Sequence, residues 1–272
     1  FCGVQVSRIA VGGNPFSGNS HVSGELDREM RDFFTAEAIK RTLRQCEAAG
    51  INTLQARGDA HIIRLLNECR NEGGRIQWIA QTATEFADQK RHIKSLAAFS
   101  PIAIYHHGTH TDNPWHLGRI DTVADFIKAI KDHGLPGGLG THIPEVIEYA
   151  EARGWETDFY MGCFYNLARQ YKSAPAVDQE AYARDKFPAA DPPRMAAVFR
   201  QVSKPCIAFK VLAASRNCAT PQALRAAFQF AFEHIKPTDI VCVGMFQKYK
   251  NQVAENAALV REILSAAHRA GA

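Results

Sequence analysis

Disulfide signatures, charge runs and long apolar stretches are all missing from this chain. Its seven cysteines form no C-x-x-C pair and follow no regular spacing, and several stand inside apolar runs such as Ile240-Val241-Cys242-Val243. Such usage reads as reduced thiols filling small core positions, and it points to a reducing, cytoplasmic compartment. A net charge of +4 spread over 272 residues, with no basic run, gives nucleic-acid binding no support. No apolar stretch is long enough to span a bilayer, so no membrane partner is expected. No secretory signal is visible, yet the chain starts at Phe1 rather than Met, so a trimmed leader stays open. The metalloprotease pattern H-E-x-x-H is absent, as are internal repeats and low-complexity tracts.

What is present is an alternation. With 46% hydrophobic and 22% charged residues, the composition suits a large globular core. Short apolar runs at 7–11, 51–54, 76–80, 102–105, 135–139, 158–163, 206–211 and 240–243 read as strands. Helical patterns separate most of them, at 35–49, 60–71, 92–98, 122–133, 144–153 and 221–235, and a last one covers 253–267. Parallel strands need crossover helices, so eight βα units in series imply a closed (β/α)8 barrel, one domain over 1–272. A doubly wound open sheet would carry a glycine-rich dinucleotide turn after the first strand, and Gly12-Gly13-Asn14 does not fit that fingerprint. Two connections, 13–34 and 167–190, are too long for turns and read as lids or binding loops on the catalytic side.

Barrel chemistry sits where the strands end. Those segments hold Arg57, Asp59 and His61 after strand two and Gln81 at the end of strand three. Strand four is followed by His106, His107, His110 and Asp112, and strand five by Thr141 and His142. Tyr165 and Asn166 follow strand six, and Lys210 lies in strand seven. Five of the 11 histidines therefore fall in converging segments, whereas His92, His133, His234 and His268 read as surface positions on helices. Neutral imidazole binds zinc, manganese, iron and nickel, and neighbouring residues on a strand face opposite ways, so one of His106 and His107 should enter the mouth. The expected site is a divalent metal on His61, His107 and His142, with Asp59 as fourth ligand or general base. The same histidines could instead bond to substrate and hold no metal. Lys210 suits Schiff-base chemistry, proton abstraction or pairing with an acid, and Arg57 suits clamping an anion or orienting Asp59. Gln81, Tyr165 and Asn166 are expected to bind substrate. Cys163 reads as a packed thiol.

Together these segments resemble the aldo/keto reductase superfamily. Val6-Ser7-Arg8-Ile9-Ala10-Val11-Gly12 looks like its opening strand, and Ala48-Ala49-Gly50-Ile51-Asn52 like the approach to its second. Tyr165-Asn166-Leu167 resembles the end of its sixth strand. Val243-Gly244-Met245 with Gln252-Val253-Ala254-Glu255-Asn256 is similar to its last strand and cofactor-side helix. The resemblance implies an NADP-dependent oxidoreductase, with Phe209, Glu255 and Asn256 on the cofactor. It also implies an Asp–Tyr–Lys–His catalytic set, and here this sequence departs. Gln55 stands at the Asp position, Gln81 at the Lys position, no tyrosine lies in 57–61, and only the histidine has a counterpart, His107. Thr141-His142 replaces a Ser-Asn pair that would hold the nicotinamide amide, and Gly162 stands where a glutamine is expected. Two expectations result. The first is a metal-dependent isomerase, lyase or hydrolase acting on a small polar, sugar-like substrate. The second is an NADP-dependent oxidoreductase with a rebuilt proton donor. A homo-oligomer stays open as the assembly.

Overall fold

In the computed structural model, which describes residues 1–169 and 185–271, eight parallel strands close into a barrel in the order β1 to β8. They are β1 (Ile9–Gly12), β2 (Thr53–Arg57), β3 (Gln77–Gln81), β4 (Ala103–His106), β5 (Gly137–Thr141), β6 (Phe159–Cys163), β7 (Cys206–Phe209) and β8 (Ile240–Gly244). The main helices are α1 (Gly24–Phe33), α2 (Ala36–Ala48), α3 (Ala60–Asn71), α4 (Gln89–Ala97), α5 (Gly108–His116), α6 (Ala124–Lys131), α7 (Pro144–Ala152), α8 (Asp191–Gln201), α9 (Pro221–His234) and α10 (Gln252–Gly271). This is the (β/α)8 barrel that the alternation of patterns implies. No helix among the described residues is long and apolar enough to cross a membrane.

Local chemistry sets the helix starts. Thr35, Asp59, Asp88 and Thr220 each cap a helix by accepting an N–H from its first turn. Each helix then buries one stripe against the outer barrel wall; on α2 the stripe is Ala38, Ile39, Thr42, Leu43 and Cys46.

Strand side chains alternate, and that parity decides what reaches the mouth. Ala10, Ile79, Ala103, Tyr105, Phe159, Met161, Ile207, Ile240 and Cys242 pack together inside the barrel. The Phe159 ring fits only because β5 is bare there: a Cβ on Gly138 would lie 2.3 Å from it. Continuing each inward row upward brings Gln55, Arg57, Gln81, His107, Gly140, His142 and Phe209 to the top. His106, Thr141 and Gly162 have the other parity and face the helices.

Three helices lie where none was expected. The 13–34 connection is no plain loop: it holds a turn of 3-10 helix at Asn14–Ser17 and α1. The segment after β4 winds into α5, although it contains Pro114. The third is α8, with Pro192 and Pro193 in its first turn, where a missing N–H costs nothing. Of the second long connection, residues 170–184 lie outside the described part, and so does the reading of that stretch as a lid.

Candidate active site

Two adjoining cavities open at the strand ends. The smaller, about 150 Å³, lies toward β2–β6 and is lined by Arg57, Gln81, Tyr105, His107, His142 and Lys210, among others. The larger, about 330 Å³, lies toward β1, β7, β8 and the start of α10. Asn14, Asn19, His21, Phe209 and Lys210 border both.

The best-built feature of the smaller cavity is a carboxylate–imidazole pair. Asp112 on α5 has a side chain only 1% exposed, and its Oδ2 accepts the Nδ1–H of His142 at 2.7 Å. Its Oδ1 accepts the Thr141 hydroxyl at 2.5 Å, and the His142 backbone N–H lies 3.3 Å from both oxygens. With only donors around it, the carboxylate fixes the ring tautomer and leaves Nε2 of His142 for the cavity. The ring meets Phe209 edge-on at 5.4 Å.

His107 is fixed differently. Its Nδ1 accepts the Thr109 N–H that opens α5, at 3.0 Å, and its own backbone N–H bonds to Thr82 at 3.0 Å. Burial holds its pKa well below the usual value, and the charges of His110, His142 and Arg57 act in the same direction. The imidazole is therefore neutral at pH 7. Below it, the buried Tyr105 hydroxyl takes a 2.7 Å bond from Gln55 and interacts with Gln81, while burial raises its pKa far above the normal range. A tyrosine from β4 thus hangs between the two amides that stand at the Asp and Lys positions of the reductase pattern. Gln81 still borders the cavity above it.

Lys210 follows β7 directly, at a left-handed backbone angle (φ 57°), and borders both cavities. A non-glycine residue held there stores strain of a kind that clusters at functional positions. Arg57 ion-pairs with Glu85 and lines the smaller cavity, and its Nε lies 4.0 Å from Asp59. Burial pushes the Cys163 thiol up to about 12, so it is an inert packed group.

The expected metal set does not assemble. His61 is exposed on the first turn of α3 and lines neither cavity, since a helix beginning at Ala60 carries it away from the axis. Asp59 spends its carboxylate on the Ile62 N–H at 2.9 Å as the cap of α3. Among the described residues no group of three or more His, Cys, Asp or Glu is placed to hold a metal ion. Removing the cap by Asp59→Ala should therefore cost about 1 kcal/mol in urea denaturation and leave catalysis within twofold. A tenfold rate loss would return Asp59 to the reacting set.

Tyr165 and Asn166 also leave the site. The Tyr165 hydroxyl accepts from Asn217 at 3.1 Å, and Asn166 forms a local turn, its N–H on Asp191 and its side chain accepting from Ala168. Neither lines either of these two cavities. His92, expected on the surface, is on the buried face of α4: its ring bonds to Gly58 and Ala83 and stacks on Phe86. Gly162 faces outward, where a Cβ would meet Phe199 at 2.5 Å, so Met161 is the β6 residue at the cavity. Phe209, Glu255 and Asn256 all border the larger cleft, Asn256 buried and Glu255 exposed and paired with Lys250 at 2.7 Å.

The residues that strand-end reading missed are Asp112 as a partner for His142, and the pair His21–Asp185. His21, in the β1 connection, borders both cavities; its Nδ1 lies 3.2 Å from Asp185, whose side chain is 4% exposed.

No protein-family model and no curated protein matches the chain. Solved structures do. An aldo-keto reductase from Bacillus halodurans in its holo form matches with a TM-score of 0.58 at 13% identity, over 96% of this chain and 93% of that one. A truncated 3-deoxy-D-arabino-heptulosonate 7-phosphate synthase from Thermotoga maritima matches at 0.58 and 12%, over 99% and 91%. The N-acetylmannosamine-6-phosphate 2-epimerase from Clostridium perfringens matches at 0.50 and 14%, over 85% and 87%. At such identities the likeness shows the barrel fold and no activity.

Proposed function

We propose that this barrel is an enzyme that moves a proton on a small polar substrate, with His142 as the proton carrier. One observation carries the reading: a buried carboxylate holds His142 by its Nδ1 while the ring lines a cavity shared with a lysine, an arginine and a neutral histidine. A general acid or base needs a fixed tautomer and a stabilised imidazolium, and Asp112 supplies both. Lys210 and Arg57 give the cavity a preference for negatively charged substrate oxygens. The cavity volume of about 150 Å³ suits a small molecule. The test is solvent exchange at carbon. Small 2-hydroxy acids and hydroxy ketones are incubated with the protein in D₂O, and loss of the C–H signal is followed by NMR. The expected result is exchange with the native chain and a rate lower by about 10²–10⁴ in His142→Gln, with its unfolding temperature nearly unchanged. Exchange undiminished in that variant would overturn the reading.

A second reading has its own observation. The larger cleft, about 330 Å³, joins the proton-transfer cavity through Phe209 and Lys210 and contains Glu255 and Asn256, the set that the reductase resemblance assigns to NADP. An aromatic ring, a buried amide and a lysine suit a nucleotide. Bound there, NADPH would supply hydride, and His142 or His107 would handle the proton in place of the absent tyrosine. The fit is weaker at the Thr141-His142 pair, since both side chains are committed to Asp112. NADPH fluorescence decides: a saturable shift that Asn256→Leu weakens at least tenfold supports it, and no shift beyond that of protein-free controls rejects it.

A further inference from the structure

The mouth contains a second imidazole built like the first. His21 is held by Asp185 as His142 is held by Asp112, and both carboxylates are almost fully buried. The two rings arrive from opposite sides: His21 follows β1 and His142 follows β5, strands four places apart in a closed ring of eight. Both line the same small cavity, and Lys210 borders it too. The placement of His21 is constructed rather than incidental. Its backbone sits in the left-handed region (φ 58°), and the preceding Ser20 N–H bonds to Asp27 of α1 at 2.7 Å, which ties the connection to a helix.

We propose that His21 and His142 form a two-base pair that inverts a carbon centre next to a carboxylate, with Lys210 at the carboxylate. The inference rests on the reading of His142 as a proton carrier and adds a partner, a substrate class and a stereochemical outcome. In one direction neutral His21 takes the proton from the carbon. The C–H electron pair becomes the C=C bond of an enediolate, whose added negative charge falls on the oxygens beside the Lys210 ammonium. Protonated His142 then delivers its proton to the opposite face, and the C=C pair forms the new C–H bond. One proton leaves the substrate and one returns, so no oxidant or reductant is needed. The electrostatics agree with this division of labour. Burial, then Lys210, push the His21 pKa down to about 4 against the pull of Asp185, with His142 pushing it further down, so His21 rests neutral. Lys210 stands where it can offset charge that appears only in the intermediate.

The experiment uses the full chain labelled with ¹⁵N in its histidine rings, titrated with oxalate, a planar dianion shaped like the enediolate. The expected result is that the His21 and His142 ring signals move together along one saturation curve, and that Lys210→Met weakens the binding at least tenfold without changing either tautomer. If His142 moves and His21 does not, the two-base pair is overturned while the proton-carrier reading survives. If neither moves, the two-base pair at a carboxylate is overturned, and the exchange assay on His142→Gln decides the proton-carrier reading separately.

Discussion

Replacing Asp112 by asparagine should slow proton transfer by about 10²–10⁴ while leaving the chain folded. Asparagine matches aspartate in shape but offers one acceptor oxygen in place of two and carries no charge. The native carboxylate takes the Thr141 hydroxyl on one oxygen and the His142 ring on the other. An amide can keep the first bond, but its NH₂ then faces His142 Nδ1 and must donate. The imidazole flips to the tautomer protonated at Nε2, and any imidazolium formed during turnover loses its counter-charge. Ring ¹⁵N shifts report the tautomer without a substrate, so the effect can be seen before any reaction is known. Asp112→Ala should act differently. It strands the Thr141 hydroxyl and the ring and backbone N–H groups of His142 and should cost about 1–3 kcal/mol for each group left unsatisfied, seen in urea denaturation. An unchanged tautomer in Asp112→Asn, with exchange within threefold of native, would show that the pair is a structural contact.

How much of this was legible beforehand depends on which link of the chain is asked about. The barrel was, because short apolar runs, buried on both faces, alternate with helical stripes along the chain, and that alternation survives errors of two or three residues at each end. Strand two shows the cost of such an error. Its observed span, Thr53–Arg57, runs three residues past the expected end, which places Arg57 in the strand and Asp59 at the first helical cap. The expected helix start near Ala60 already implied that cap, since a short acidic side chain just before a helix most often satisfies its free N–H groups. His107 and His142 stood at strand tops of the right parity, so they could be found. Asp112 could not be assigned to His142 from sequence, because it lies on α5, a helix interrupted by proline and hidden in a histidine-rich loop. His21 and Asp185 come from connections whose geometry is set by tertiary packing, and only the three-dimensional arrangement pairs them.

Acid should begin to destabilise this protein as the pH falls below about 6.5, and the cause is buried imidazole. His106 has the outward parity on β4. It is 1% exposed, packed against Phe126, and neither ring nitrogen has a hydrogen-bond partner among the described residues. Burial, with a smaller contribution from His110, pushes its pKa from 6.5 down to about 3, and His21 falls to about 4. His92, His107 and His110 shift in the same direction. A group whose folded pKa lies below its unfolded one binds more protons when the chain unfolds. Its stabilising share is complete above pH 6.5 and is lost as the pH falls toward the folded value. At about 1.4 kcal/mol per unit, His106 alone should remove about 2 kcal/mol between pH 7 and pH 5. His106→Leu should be at least as stable as the native chain at pH 7, because it deletes two polar atoms that the fold leaves unpaired. It should also lose about 2 kcal/mol less on moving to pH 5. Urea denaturation of both proteins at the two pH values measures the difference directly. Equal losses would mean that His106 gains a partner, or opens to water, long before the barrel unfolds.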